Sequence, residues 1–198
     1  MPDYNNYEQS SDEQLFDLVK TGTTAAFDEL YNRYSHRLLH YLLRMLNGDE
    51  DRAQDLLQDV FMKIFDKRNL FRTSNQFSTW IFTIAHNLCK NEYRSLTTRN
   101  EISLEEADYL ADHSSEPSQV AEQIDQHIFQ HHLLKIINSL SPVQRSVFLL
   151  RFQENLTIPE IARIMRCPTG TVKSRLHNIL CLIAQYLKVY DPHKSEVL

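Results

Sequence analysis

The residues able to do chemistry gather in a few stretches of this chain. The densest is Thr169, Thr171, Lys173, Ser174, Arg175, His177 and Asn178. Lys and Arg neutralise phosphates or fork onto guanine, and Ser and Asn hydrogen-bond base edges, so this set suits duplex DNA. A second stretch, Lys67 to Asn75, carries three cationic side chains and one aromatic, Phe71, that reads as exposed. A third, Asp55, Gln58, Asp59 and Met62, is an acidic face beside an apolar stripe, and its plain reading is a solvated helix surface. Nine histidines invite a metal, and His127, His131 and His132 offer an i, i+4 pair. No third ligand stands at a metal-site spacing and no HExxH string occurs, so we expect helix-surface histidines and no metal. Cys89, Cys167 and Cys181 are odd in number and form no CxxC pair. They read as small buried hydrophobes in a reducing compartment. The three glycines are too far apart to cradle a phosphate. We find no catalytic constellation and expect no enzyme, cofactor or small-molecule substrate.

Charge supports the polyanion reading only when it is mapped along the chain. The net charge of −5 argues against a nucleic-acid binder. Residues 1–60 are net −7, 61–100 net +5, 101–126 net −8 and 127–190 net +6. Two basic blocks separated by an acidic one point to polyanion contact on selected faces. The acidic block holds the breaker cluster Ser114-Ser115-Glu116-Pro117-Ser118 and reads as a linker. The acidic, polar start is not a signal peptide, and the longest uncharged run, Thr73 to Cys89, is too polar to span a bilayer. A cytoplasmic protein is expected.

The elements that must position these residues are helical. Phe27, Leu30, Tyr31, Tyr34, Leu38, Tyr41, Leu42 and Met45 recur at spacings of three and four. Ala53 to Phe65 and about Phe77 to Tyr93 repeat the pattern, with Trp80 expected in the core. Ser141-Pro142-Val143-Gln144 and Thr157-Ile158-Pro159-Glu160 are capping boxes with proline near the helix start. A short helix over Ile158 to Met165, a turn at Arg166 to Gly170 and a longer helix from near Thr171 make a helix-turn-helix. Ala162 is small where its two helices must approach. The fold expected is all-α: two small helical domains, 12–97 and 127–190, joined by an acidic linker, 98–126, with tails at 1–11 and 191–198.

These strings resemble the extracytoplasmic-function group of bacterial sigma-70 family sigma factors. The resemblance rests on AFDELYNRY (26–34), AQDLLQDVF (53–61), TWIFTIAHNL (79–88), LSPVQR (140–145), Ile161-Ala162 and GTVKSRL (170–176), in that order. It implies a subunit that binds core RNA polymerase, recognises −10 and −35 promoter elements, helps open the promoter and initiates transcription of a specialised regulon. Asp55, Leu56, Gln58, Asp59 and Met62 would dock on core polymerase. Phe71, Arg72, Asn75 and Gln76 would hold a flipped base of the opened −10 element, with Lys67 also on that strand, beside a basic face of His86, Asn87, Lys90, Asn91 and Arg94. The helix-turn-helix residues would read the −35 element. Promoter DNA and an anti-sigma factor, soluble or membrane-anchored, are the other partners implied. Three departures stand out: Arg166 replaces the usual turn Gly, His177-Asn178 replaces further Arg, and Asn91 replaces Asp. The rival reading is a stand-alone helix-turn-helix regulator, which would bind a palindromic duplex without polymerase.

Overall fold

Several helices in this chain begin where a side chain takes over for a missing backbone partner, though the one that follows Thr23 starts without it. A computed structural model describes residues 7–72, 76–98 and 126–187. Ser11 opens α1 (Asp12–Lys20) with a capping box to Gln14. After α2 (Thr24–Met45), the Asp49 carboxylate accepts from Arg52 N–H and starts α3 (Glu50–Asp66). A 3-10 turn, Arg68–Leu70, leads on to α4 (Phe77–Thr98), whose first N–H donates to Glu13 Oε1 at 2.9 Å. That cap is lent by α1, from far away in sequence.

The second half starts with α5 (Gln126–Ser139). The two boxes seen in the sequence then open α6 (Pro142–Phe152) and α7 (Ile158–Met165). Glu160 Oε2 accepts from Thr157 N–H at 2.7 Å and from Thr157 Oγ1 at 2.5 Å. α8 (Thr169–Leu187) begins two residues earlier than the pattern suggested. Among the described residues there are eight α-helices, one 3-10 turn and no strand. α1 and α5 lie beyond the apolar stripes picked out above. Residues 1–6, 73–75, 99–125 and 188–198 lie outside the described residues, which takes in Asn75, all but the two end residues of the linker at 98–126, and the tail at 191–198. So do the side chains of His127, His131 and His132.

The two helical groups share one core. The cluster that begins with Leu15, Phe16, Leu30 and Leu38 continues without a break through Phe82 and Val147 to Ile161, Val172 and Ile179. Burying a side chain of this size contributes about 1.5–3 kcal/mol. α4 packs on α7, and α2 on α6, so the join between the groups is itself packed.

Polar contacts cross the same join. Arg145 is 4% exposed. Its Nη1 lies 3.2 Å from Arg44 O, 3.3 Å from Met45 O and 2.5 Å from Asn47 Oδ1 at the end of α2. Its Nε and Nη2 donate to Ile137 O and Asn138 O near the end of α5. The guanidinium is thus held by two helix C-termini, which present orphan carbonyls and negative dipole ends. Within the first group, Tyr93 Oη donates to the same Met45 O. Arg37 donates to Glu154 Oε2 at 3.0 Å, and the Glu154 side chain is only 1% exposed.

Candidate nucleic-acid interface

The longer helix of the helix-turn-helix divides its side chains by face. Val172, Leu176, Ile179 and Ile183 point into the core. Thr169, Lys173, Ser174, His177 and Asn178 are exposed, while Thr171 and Arg175 are half-buried. This follows from the 3.6-residue period acting on the sequence. Arg175 Nη1 sits 3.8 Å from Cys167 Sγ, which ties the start of α8 to the turn before it. Ala162 is buried at the helix crossing. The turn keeps the left-handed conformation that a glycine normally supplies: Arg166 has φ 51° and ψ 48°. Its N–H donates to the last carbonyls of α7, at Ala162 and Arg163.

The α4 side is arranged differently. Lys67, Arg72, Gln76, Lys90, Asn91 and Arg94 are exposed, and Asn87 is half-buried. Two expectations need correction. Phe71 is not exposed: it is 4% accessible and packs edge-on to Phe16 at 5.2 Å, against Trp80 at 5.1 Å and near Phe77 at 5.9 Å. Lys20 Nζ lies 5.3 Å from its ring centre. The aromatic belongs to a cluster completed by α1, which the local sequence around Phe71 gives no sign of. Trp80 packs in that same cluster, as expected of a core residue.

His86 is the second correction. It does not line an open basic face but turns into the join between α4 and the second helical group. Its Nδ1 is 3.0 Å from Ser146 Oγ, which is itself 2.8 Å from Tyr41 Oη. Ser146 and Tyr41 are wholly buried. Burial, with the Lys90 charge second, lowers the His86 pKa to about 4, so the ring is neutral at pH 7. A neutral ring accepting at Nδ1 lets Tyr41 donate to Ser146 and Ser146 donate to His86, one directional chain across three helices.

The outer face of α3 carries Asp55, Gln58, Asp59 and Met62, all exposed, with Leu56 half-buried. Met62 on this face is 64% exposed, and around it stand three side chains that the sequence reading missed: Phe65, 49% exposed, Tyr31, 44%, and Leu70, 74%. Exposed apolar side chains in this number, beside carboxylates, are what a docking surface needs. Tyr31 and Phe65 had counted as parts of apolar stripes, and only their positions at the stripe's edge could have revealed them.

Comparison with known proteins fits this geometry. The Sigma-70 region 2 family model matches residues 30–99, and the Sigma-70, region 4 model matches residues 131–180. The RNA polymerase sigma-H factor of Pseudomonas aeruginosa is 32% identical over 178 residues, 85% of this chain and 89% of that protein. The chain belongs to the extracytoplasmic-function sigma factors of the sigma-70 family. The ECF RNA polymerase sigma-E factor of Escherichia coli K12 is 31% identical, over 85% of this chain and 90% of its own length. A solved structure of the sigma factor RpoE with the anti-sigma factor NepR from Bartonella quintana shares the fold. Its TM-score is 0.62 at 24% identity, over 82% of this chain and 97% of that one.

In this sigma factor the region 2 match runs from within α2 through α4, with α1 outside it, and α5 to α8 carry the region 4 match. Among the described residues no cluster of His, Cys, Asp and Glu could hold a metal. No helix among them is long and apolar enough to cross a membrane. Cys89 is buried, Cys167 half-buried and Cys181 exposed, with Cys181 Sγ 3.6 Å from His177 Nε2. The expectation of three buried thiols thus holds only for Cys89.

Proposed function

We propose that this sigma factor docks on core RNA polymerase through the outer face of α3 and reads promoter DNA with two separate surfaces. Asp55, Leu56, Gln58, Asp59 and Met62, extended by Phe65 and Leu70, form the polymerase contact. Lys67, Arg72, Gln76, Asn87, Lys90, Asn91 and Arg94, with Asn75, contact the opened −10 strand. Thr169, Thr171, Lys173, Ser174, Arg175, His177 and Asn178 contact the −35 duplex. The domains are 12–97 and 127–190, with 98–126 as linker. The protein works in the cytoplasm by binding rather than by catalysis, and takes no small-molecule substrate.

The observation that carries this reading is α8. Its buried stripe fixes the helix, and its exposed Lys173, Ser174, His177 and Asn178 present cation and hydrogen-bonding groups at the end that would enter a major groove. The docked arrangement adds a requirement. Elements named −10 and −35 lie 25 base pairs apart, about 85 Å at 3.4 Å per pair. A compact chain of this length has a radius of gyration of about 16 Å. Reading both elements at once requires the two domains to part. The join suits parting, because Arg145, His86, Ser146 and Glu154 can all exchange their partners for water. An anti-sigma factor is a fitting further partner. The Bartonella sigma factor of the same fold was solved with one, and a partner that held the join closed would keep the two reading surfaces too near each other.

The test is transcription from genomic fragments by core polymerase with and without the protein. We expect transcripts that start downstream of a shared two-part motif only when the protein is present. Asp59→Arg with Met62→Asp should abolish core binding and leave folding intact by circular dichroism. Core binding that survives both changes would remove α3 from the polymerase contact.

A further inference from the structure

We propose that Arg166, together with Arg163, grips a backbone phosphate of duplex DNA beside the groove entered by α8. The inference rests on the −35 reading of α8 and adds a residue to it. It begins from the backbone. Five described residues have positive φ: Gly22, Gly48, Asn47, Asn155 and Arg166. Glycine and asparagine are the types that tolerate this conformation, so four of the five positions hold a fitting residue. Arg166 is the exception. The backbone task there is to cap α7 by donating its N–H to Ala162 O and Arg163 O, and any residue with that N–H can do it, glycine with less strain. What glycine lacks is the side chain. Strain retained where a better-fitting residue would serve points to a use for the group that causes it.

The surroundings say what that use is. Arg166 is exposed and lines a shallow concavity of about 640 Å³ with Pro159, Arg163, Pro168 and Thr169. The concavity therefore opens at the first residue of α8, beside Thr169. Neither Arg163 nor Arg166 has a side-chain hydrogen bond or ion pair among the described residues. Elsewhere Arg33, Arg37, Arg52 and Arg145 are all engaged. A cation near the C-terminus of α7 would favour the helix dipole, but Arg163 in the last turn already serves that purpose. Two unengaged guanidiniums at the lip of a concavity, next to a helix that presents Lys173 and Ser174, match a phosphodiester, which guanidinium binds in a two-pronged fashion. The contact is independent of sequence, so it positions the helix and leaves base choice to α8.

The experiment uses full-length protein on a labelled duplex that carries the upstream half of a promoter transcribed by its holoenzyme. Affinity is measured with core polymerase over a range of KCl concentrations, alongside thermal melting. One lost phosphate contact flattens the slope of log K against log salt by about 0.9, about fivefold in affinity at 0.15 M salt. Arg166→Gly should raise the melting temperature and yet lose that fivefold and that much slope. Arg166→Lys should keep the slope, and Arg166→Asn should lose it. Affinity and slope unchanged in Arg166→Gly, with binding lost in Lys173→Ala, would overturn this proposal and leave the −35 reading standing. No effect of either change would overturn both.

Discussion

The two helices that carry the basic stretches, α4 and α8, differ in what their polar faces meet. On α8 five of the seven side chains suited to DNA stand in solvent, Thr171 and Arg175 are half-buried, and the buried face is plain hydrocarbon. On α4 the face is shared: Lys90, Asn91 and Arg94 are outside, while His86 is drawn into a buried chain with Ser146 and Tyr41. Residue types at helical spacing look alike in the two cases. The difference lies in docking, since α4 packs against α7 of the other helical group and the exposed face of α8 packs against nothing described. A polar residue on a helix therefore marks either a reading surface or a join, and its neighbours from distant sequence decide which.

The largest effect should come from Arg145, the central cation of that join. Arg145→Leu takes a donor from each of four carbonyls at the ends of α2 and α5 and leaves those of Arg44 and Asn138 unpaired in a dry site, at a cost of about 3 kcal/mol. Urea unfolding should show that loss and should split into two transitions as the helical groups uncouple. A single transition with unchanged midpoint would mean that the join adds nothing.

Next comes pH. The His86 pKa is about 4 in the folded protein, against an ordinary value of 6.5 in the unfolded chain. The unfolded chain binds the proton first, so this contribution is whole above about pH 6.5 and is lost as pH falls toward about 4. Between pH 7 and 5 the loss is about 2 kcal/mol, at about 1.4 kcal/mol per unit. His86→Asn keeps an acceptor and does not titrate, so its urea midpoint should fall less over that range. Parallel pH profiles for the two proteins would place His86 in solvent and erase the contrast with α8.

Smallest is Arg37, whose side chain is 42% exposed while its partner Glu154 is almost fully covered. Arg37→Met should cost about 1 kcal/mol, because Glu154 Oε2 loses its partner while Oε1 keeps only Gln153. Arg37→Met with Glu154→Gln should recover part of it in a double-mutant cycle. Additive losses would remove the ion pair from the list of forces that close the join.

Much of the fold was legible because it is local. Ser141 and Gln144, or Thr157 and Glu160, lie three residues apart, and their capping boxes need no other part of the chain. The bounds of α7 come straight from such signals. α1 was missed although Ser11 and Gln14 have the same spacing, because the apolar stripe behind them, Leu15, Phe16 and Val19, spans barely two turns. Phe71 was misplaced because the ring that buries it, Phe16, lies 55 positions earlier in the sequence.

The sequence by itself determined six of the eight described helices, the division into two groups, the outward face of α3 and the outward face of α8. Each follows from periodicity, capping and charge within a few dozen residues. Only the tertiary structure decided that the two groups share one core, that Arg145 joins the ends of α2 and α5, and that His86 is neutral and covered. The physical reason is that these depend on contacts between residues 60 to 117 positions apart, such as Ser146 with His86 and Arg37 with Glu154. No local pattern encodes such pairings, because the energy that fixes them appears only when distant surfaces lose their water together.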